Sequence, residues 1–147
     1  MTDVLTHSEI DNFDLVLDLR DASVYTSQGH KIIICRLNRD YVAIEEFKNV
    51  FQQIAEIVKA GDYEKFIFDK RALRAFHQPT MEWYFIHWKK EMLKHGVKTH
   101  RKILPAEKWF EKMVQIAKAQ ILENYPDNII DQLDIQYCQS IEEAISK

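Results

Sequence analysis

The residues best equipped for chemistry in this 147-residue chain fall close together, as Asp69, Lys70, Arg71, Arg74 and His77. A carboxylate with cations and an imidazole nearby can bind an anion or exchange protons as an acid/base pair. The same spacing also suits a solvated basic loop, in which Asp69 caps local N–H groups or pairs with an arginine. That plainer use is the first expectation.

Other chemistries find little support in the spacing. Of six histidines, His87 and His95 lie eight residues apart on one expected helix, about 12 Å along its axis and too far to share an ion. No HExxH, CxxC or paired acidic motif occurs, so no metal and no cofactor is expected. There is no GxSxG and no glycine-rich phosphate loop. Cys35 and Cys138 sit in strand-like runs, as buried, inert thiols without a disulfide. An enzyme is not the expectation.

Composition bounds the remaining choices. Hydrophobic residues make up 46% and charged residues 29%, ordinary values for one globular domain spanning 1–147. A net charge of −3 gives no electrostatic case for nucleic acid. No apolar run approaches the ~18 residues of a membrane span. The opening MTDVLTHSEIDNF has no apolar core of signal-peptide length, so the expected location is the cytoplasm.

The elements that must position the cluster can be read from periodicity. Alternation predicts a strand at Phe13–Leu19, and a β-branched run predicts a more central one at Lys31–Leu37. The segment between them, DASVYTSQGH, reads as turn-like. Phe47, Val50, Phe51, Ile54 and Val58 recur at helical spacing before Gly61. Lys65–Asp69 is a short buried strand, with Phe66–Phe68 central in the sheet. An aromatic helix then runs from about Pro79 to His95, with Gly96 in the left-handed position after it. Its core stripe is Met81, Tyr84, Phe85, Trp88 and Met92. Trp83, Ile86 and His87 lie off that stripe and read as packing under a neighbouring loop, a pocket wall or a contact between subunits.

A strand at Val97–Leu104 follows, then a helix from Pro105 with Trp109, Phe110, Met113, Ile116, Ala117 and Ile121 on one stripe. Asp134–Cys138 is the last strand. Ser140 with Glu143 is the capping box of a short closing helix. Strands alternating with helices imply parallel crossovers behind an antiparallel meander. The fold class is therefore α/β, a mixed sheet of four to six strands with about four helices.

This succession carries a resemblance. The strand ending in Asp69, the helix with Trp83 and Trp88, HGVK at 95–98, ILPAEKW at 103–109 and IQYCQSIEEAI at 135–145 resemble the SpoIIAA-like, STAS-like family. The best match is with its small stand-alone bacterial members. The resemblance covers roughly residues 13–147 through diffuse motifs. It implies a mixed sheet with helices mainly on one face, and recognition of proteins, or in some relatives small ligands or lipids, rather than catalysis. Phosphorylated antagonists of that family carry a serine in a pattern like DLSxVxFMDSSG. Aligned on Asp69 and Leu73, this chain has Gln78 at that place, and Thr80 is the only nearby hydroxyl, hence the candidate phosphoacceptor.

The expected function is a non-catalytic regulatory or protein-interaction module, as a homodimer with an unidentified protein partner. Its working surface would comprise Asp69, Arg71, Arg74, His77, Gln78, Thr80, Trp83 and His87. The alternative is a binder or carrier of a small apolar or anionic, lipid-like ligand held between the aromatic helix and the sheet.

Overall fold

The computed structural model describes residues 12–147. Six strands form one sheet in chain order: β1 (Asp14–Asp18), β2 (Ala22–Ser27), β3 (Ile32–Leu37), β4 (Lys65–Asp69), β5 (Thr99–Ile103) and β6 (Asp134–Tyr137). The β1–β2 and β2–β3 pairs are antiparallel, and the three later pairs are parallel. Among the described residues four helices accompany them. These are α1 (Ile44–Ala60), α2, α3 (Lys108–Asn124) and α4 (Ile141–Ser146). Helix α2 is wound in three consecutive stretches, α-helical over Gln78–Glu82, π-helical over Trp83–Trp88 and α-helical again over Lys89–Lys94. The fold is thus α/β with a mixed sheet, and β4 is interior, as the apolar run Phe66–Phe68 predicts.

Three crossovers stepping the same way along the sheet put α1, α2 and α3 on one face. On this helical face Ile33, Cys35, Phe66 and Phe68 meet Phe47, Phe51 and Ile54 of α1 and Tyr84, Trp88 and Met92 of α2. Ring packing dominates there: Phe51 lies edge-on to Trp88 at 4.9 Å, and the Trp88 indole donates to the Phe51 carbonyl at 2.8 Å. Helix α3 closes the far end, with Phe110, Val114, Ala117 and Ile121 against Met81 and Phe85. The opposite face carries Tyr25, Ile32, Ile34, Ile67 and Ile103, packed with Ile141 and Ala144 of α4.

Two expectations need correction. The span 21–30 is not a turn throughout: Ala22–Ser27 is a strand, because Val24, Tyr25 and Thr26 are β-formers that pair fully with β3. Only Gln28–Lys31 turns, with Lys31 at φ 58°. The α3 stripe also divides. Phe110, Val114, Ala117 and Ile121 are buried, whereas Trp109, Met113 and Ile116 are 46%, 43% and 56% exposed. Two apolar stripes one residue apart had been merged into one.

Several local signals act as expected. Gly96 has φ 95° after α2, and Pro79 sits in that helix's first turn. Gly61 ends α1 in an extended conformation, so its role is space rather than left-handed freedom. A Cβ there would lie 2.5 Å from the Tyr63 ring. The Ser140 hydroxyl caps Glu143 N–H at 3.0 Å, and the Glu143 carboxylate reaches back to Gln139 N–H at 2.7 Å, one residue earlier than a standard box. Among the described residues no helix is long and apolar enough to cross a membrane.

Candidate functional site

Successive residues of a strand point to opposite faces, and at the end of β4 that alternation splits the charged cluster in two. Asp69 shares the opposite face with Ile67 and, across the ladder, with its partner Arg36. It is nearly fully buried and accepts three hydrogen bonds from Arg71: backbone N–H at 3.1 Å, Nε at 2.9 Å and Nη2 at 2.7 Å. Arg36 donates to Asn38 Oδ1 from Nε at 3.2 Å and from Nη2 at 3.0 Å. Arg36, Leu37, Asp69, Arg71 and Ala72 border a cleft of about 290 Å³. Asp69 is therefore the partner of an arginine, as the plainer reading held.

Lys70 turns the other way, onto the helical face. It is 8% exposed, and its ammonium stands 5.3 Å from the centre of the Phe68 ring. No carboxylate and no hydrogen-bond acceptor reaches it among the described residues. It lines a cavity of about 60 Å³ between α1, the 70–77 loop and the first turns of α2. The walls are apolar, with Phe47, Phe68, Phe76, Met81 and Phe110. The polar groups are Lys70, His77, Thr80 and Tyr84. His77 is exposed and marks the mouth, with Nδ1 2.8 Å from the Thr80 hydroxyl, which is itself buried.

Behind Tyr84 the polar groups continue into the core. Lys89 of α2 and Lys102 of β5 are 0% and 2% exposed, and their ammonium groups lie against the same two rings. Lys89 stands 4.9 Å from Tyr84 and 4.7 Å from Phe85; Lys102 stands 5.4 Å and 5.5 Å from them. His100, two residues before Lys102, is wholly buried, and among the described residues neither ring nitrogen makes a well-formed hydrogen bond, the Val97 backbone being a polar influence on it. The hydroxyls of Tyr84 and Tyr137 are also buried without partners. The π-helical stretch explains how this helix turns so many polar groups inward. Its extra residue per turn buries Tyr84, Phe85 and Trp88, and Lys89 follows directly.

The electrostatic consequence is one-directional. Burial penalises a charged amine, and among the described residues no carboxylate pairs with any of these three lysines. Burial, reinforced by Lys102, holds Lys70 well below the usual lysine range. Burial brings Lys89 down to about 7, although contact with Lys102 works against the fall. Burial and the neighbouring Lys89 depress Lys102 strongly. His100 is likewise pushed far down by burial, then by Lys89 and Lys102. On the same face burial drives the Tyr84 hydroxyl and the Cys35 thiol up, which keeps both protonated and Cys35 inert.

The sequence-derived surface is thus dispersed. His77, Thr80 and Gln78 stand together at the start of α2, and the first two line the cavity. Asp69 and Arg71 face the other side of the sheet, so Asp69 and His77 do not meet. Arg74 is exposed, donating to the Arg71 and Leu73 carbonyls and lying 3.5 Å from Glu107. Trp83 packs edge-on against Phe47 at 6.2 Å beneath the Lys48 ammonium, and His87 is exposed. No cluster of three potential metal ligands exists among the described residues.

Sequence reasoning placed Lys70 in the charged cluster but missed Lys89, His100 and Lys102. The signal was present in β5, where His100 and Lys102 alternate on the face paired with Phe66 and Phe68. A strand paired in parallel with an apolar one should not place charges there without a reason. No protein-family model, no curated protein and no solved structure matches this chain.

Proposed function

We propose that this chain is a non-catalytic STAS-like module that binds a small amphipathic anion, an acyl or aryl carboxylate, in the cavity bordered by Lys70. The observation that carries this reading is the Lys70 side chain, 8% exposed at the edge of an apolar cavity, with no acid among the described residues to balance it. A ligand carboxylate would supply the missing counter-charge, with Thr80 and His77 as further hydrogen-bonding groups. The rings of Phe47, Phe68, Phe76 and Phe110 would take the apolar part. Apolar walls with a few convergent polar groups are the usual make-up of a small-molecule site. At about 60 Å³ this cavity must widen at its His77 mouth to take a chain as long as hexanoate. A mixed sheet with three helices on one face also fits what the STAS-like resemblance implies.

The test is calorimetric titration with hexanoate and with hexanol. Hexanoate is expected to bind and hexanol to bind at least about tenfold more weakly, since one charged contact contributes about 1.5–3 kcal/mol. Lys70→Met should abolish the preference, and Lys70→Arg should keep it. Equal binding of acid and alcohol, or unchanged hexanoate affinity in Lys70→Met, would overturn the reading.

A second reading, a module that docks another protein or its own copy, draws on the exposed stripe Trp109, Met113 and Ile116 of α3. Aromatic and Met residues without cover are typical of contact cores. The Trp83 side of α2 offers less to a partner, because Trp83 already packs on α1. A sedimentation profile that stays monomeric at high micromolar concentration would remove the homodimer. Thr80 is the residue for a phosphorylation test, and its burial against His77 means that the first turn of α2 must open before a kinase reaches it.

A further inference from the structure

We infer that Lys70 is also a reactive amine, which forms a reversible imine with a small aldehyde or ketone admitted to the cavity. This rests on the same cavity as the proposed ligand site but asks for a covalent step that an anion binder does not need. Three features of the geometry converge. The Lys70 side chain is 8% exposed and borders the cavity with no acid or acceptor to hold it as an ammonium. Lys102, whose side-chain nitrogen lies against the Tyr84 ring that also lines the cavity, adds repulsion to a charge on Lys70. The mouth carries two hydrogen-bonding side chains, His77 and Thr80, 2.8 Å apart and open to water at His77.

Buried amines next to a second cation are the ones that act as nucleophiles near neutral pH, because the neutral form is the reactive one. The depressed proton affinity of Lys70 agrees with this arrangement. The step balances without an outside reagent. The Lys70 nitrogen lone pair attacks the carbonyl carbon, a C–N bond forms, and the carbonyl oxygen takes a proton to give a carbinolamine. The nitrogen gives up both of its protons, one as the carbinolamine forms and one as the hydroxyl leaves as water, and a C=N bond remains. His77 is placed at the mouth to deliver and collect those protons. Apolar ring walls select a carbonyl compound with an alkyl or aryl tail over a sugar or another polyhydroxylated one.

The experiment is reductive trapping of the full chain at pH 7 with hexanal and cyanoborohydride, read by peptide mass spectrometry. Hydride transfer to the imine carbon would fix the adduct as a secondary amine. The expected result is an adduct at Lys70 about tenfold or more above that at any exposed lysine, since each unit of lowered pKa leaves about tenfold more neutral amine. Lys70→Arg keeps a cation and loses the nucleophile, so it should bind hexanoate yet show no trapping in the 65–77 peptide. Labelling spread over surface lysines, or an unchanged pattern in Lys70→Arg, would overturn the inference. Hexanoate binding without trapping would defeat this inference alone. Loss of both would defeat the ligand-site reading as well.

Discussion

The two faces of this sheet bury the same kinds of side chain and treat them in opposite ways. On the face covered by α4, Arg101 is 2% exposed, yet its charge is engaged on several sides. Nη1 donates to the His100 and Asp134 carbonyls at 3.1 Å and 2.9 Å. Nη2 donates to the Asp134 carboxylate at 3.0 Å and the Lys147 carbonyl at 2.9 Å. Beside it Lys65 donates to the Ala144 and Ile145 carbonyls at 3.0 Å and 2.9 Å, so two cations hold the carboxyl end of α4 against the sheet. On the helical face Lys70, Lys89 and Lys102 meet rings instead of acids. Burying an ion costs several kcal/mol unless partners offset it. The first face offsets that cost within the fold. The second leaves it open among the described residues.

The comparison can be broken most severely by placing a new charge on the compensated face. Ile67 is fully buried there, in the interior strand. Ile67→Asp puts a carboxylate among apolar side chains, beside its ladder partner Arg101, whose Nη groups already bind Asp134 and Lys147. It should unfold the domain, because desolvating that charge and pulling Arg101 from its partners together rival the ~5–15 kcal/mol that holds most domains together. Circular dichroism with thermal melting checks this, and a cooperative transition near the parent temperature would contradict the placement.

Removing a compensated cation should be costly too. Arg101→Met strips partners from Asp134 and from the Lys147 carbonyl, and is expected to lower stability by about 3 kcal/mol in urea unfolding. A change under about 0.5 kcal/mol would mean that Arg101 does not anchor α4.

The matching change on the helical face should have the opposite sign. Lys89→Met replaces an uncompensated amine by an apolar chain of similar length and should raise stability near pH 6.5 by about 1–4 kcal/mol. It should also flatten the pH profile. Lys89 is brought to about 7 in the folded protein, against ~10.4 for an unfolded lysine. Between those values the unfolded chain binds more protons, so stability of the parent protein rises with pH through that window. Lys70, Lys102 and His100, all lowered chiefly by burial, act with the same sign. Parent and variant profiles that run parallel from pH 6 to pH 9 would remove Lys89 from the account.

Much of the architecture was legible because periodicity and punctuation agree with it. The interior position of β4 follows from Phe66–Phe68, and the buried stripe of α2 follows from Met81, Tyr84, Trp88 and Met92. Strand β2 was hidden by Ser, Thr and Gly neighbours that resemble a turn, although Val24–Thr26 pair along their whole length with β3. The site was legible only in part. The cluster at 69–77 marked the right end of the sheet, but adjacency in sequence concealed that Asp69 and Lys70 face opposite sides. Lys89 lay beyond periodicity, because a helix of 3.6 residues per turn does not foretell the π-helical stretch before it.

The most direct measurement of the central claim is an NMR titration of the lysine side-chain carbons in uniformly labelled protein. The account predicts that Lys70, Lys89 and Lys102 lose their protons below the usual ~10.4, with Lys89 near the value of about 7 to which burial brings it. Lys65, bound to the carboxyl end of α4, is itself lowered by burial and then by Arg101, but its partners remain in place whatever occupies the cavity. Adding hexanoate should raise the Lys70 transition and leave that of Lys65 unmoved. If every lysine titrates together near ~10.4, or if hexanoate shifts Lys65 and Lys70 alike, the two faces are not different and the cavity is not a prepared anion site.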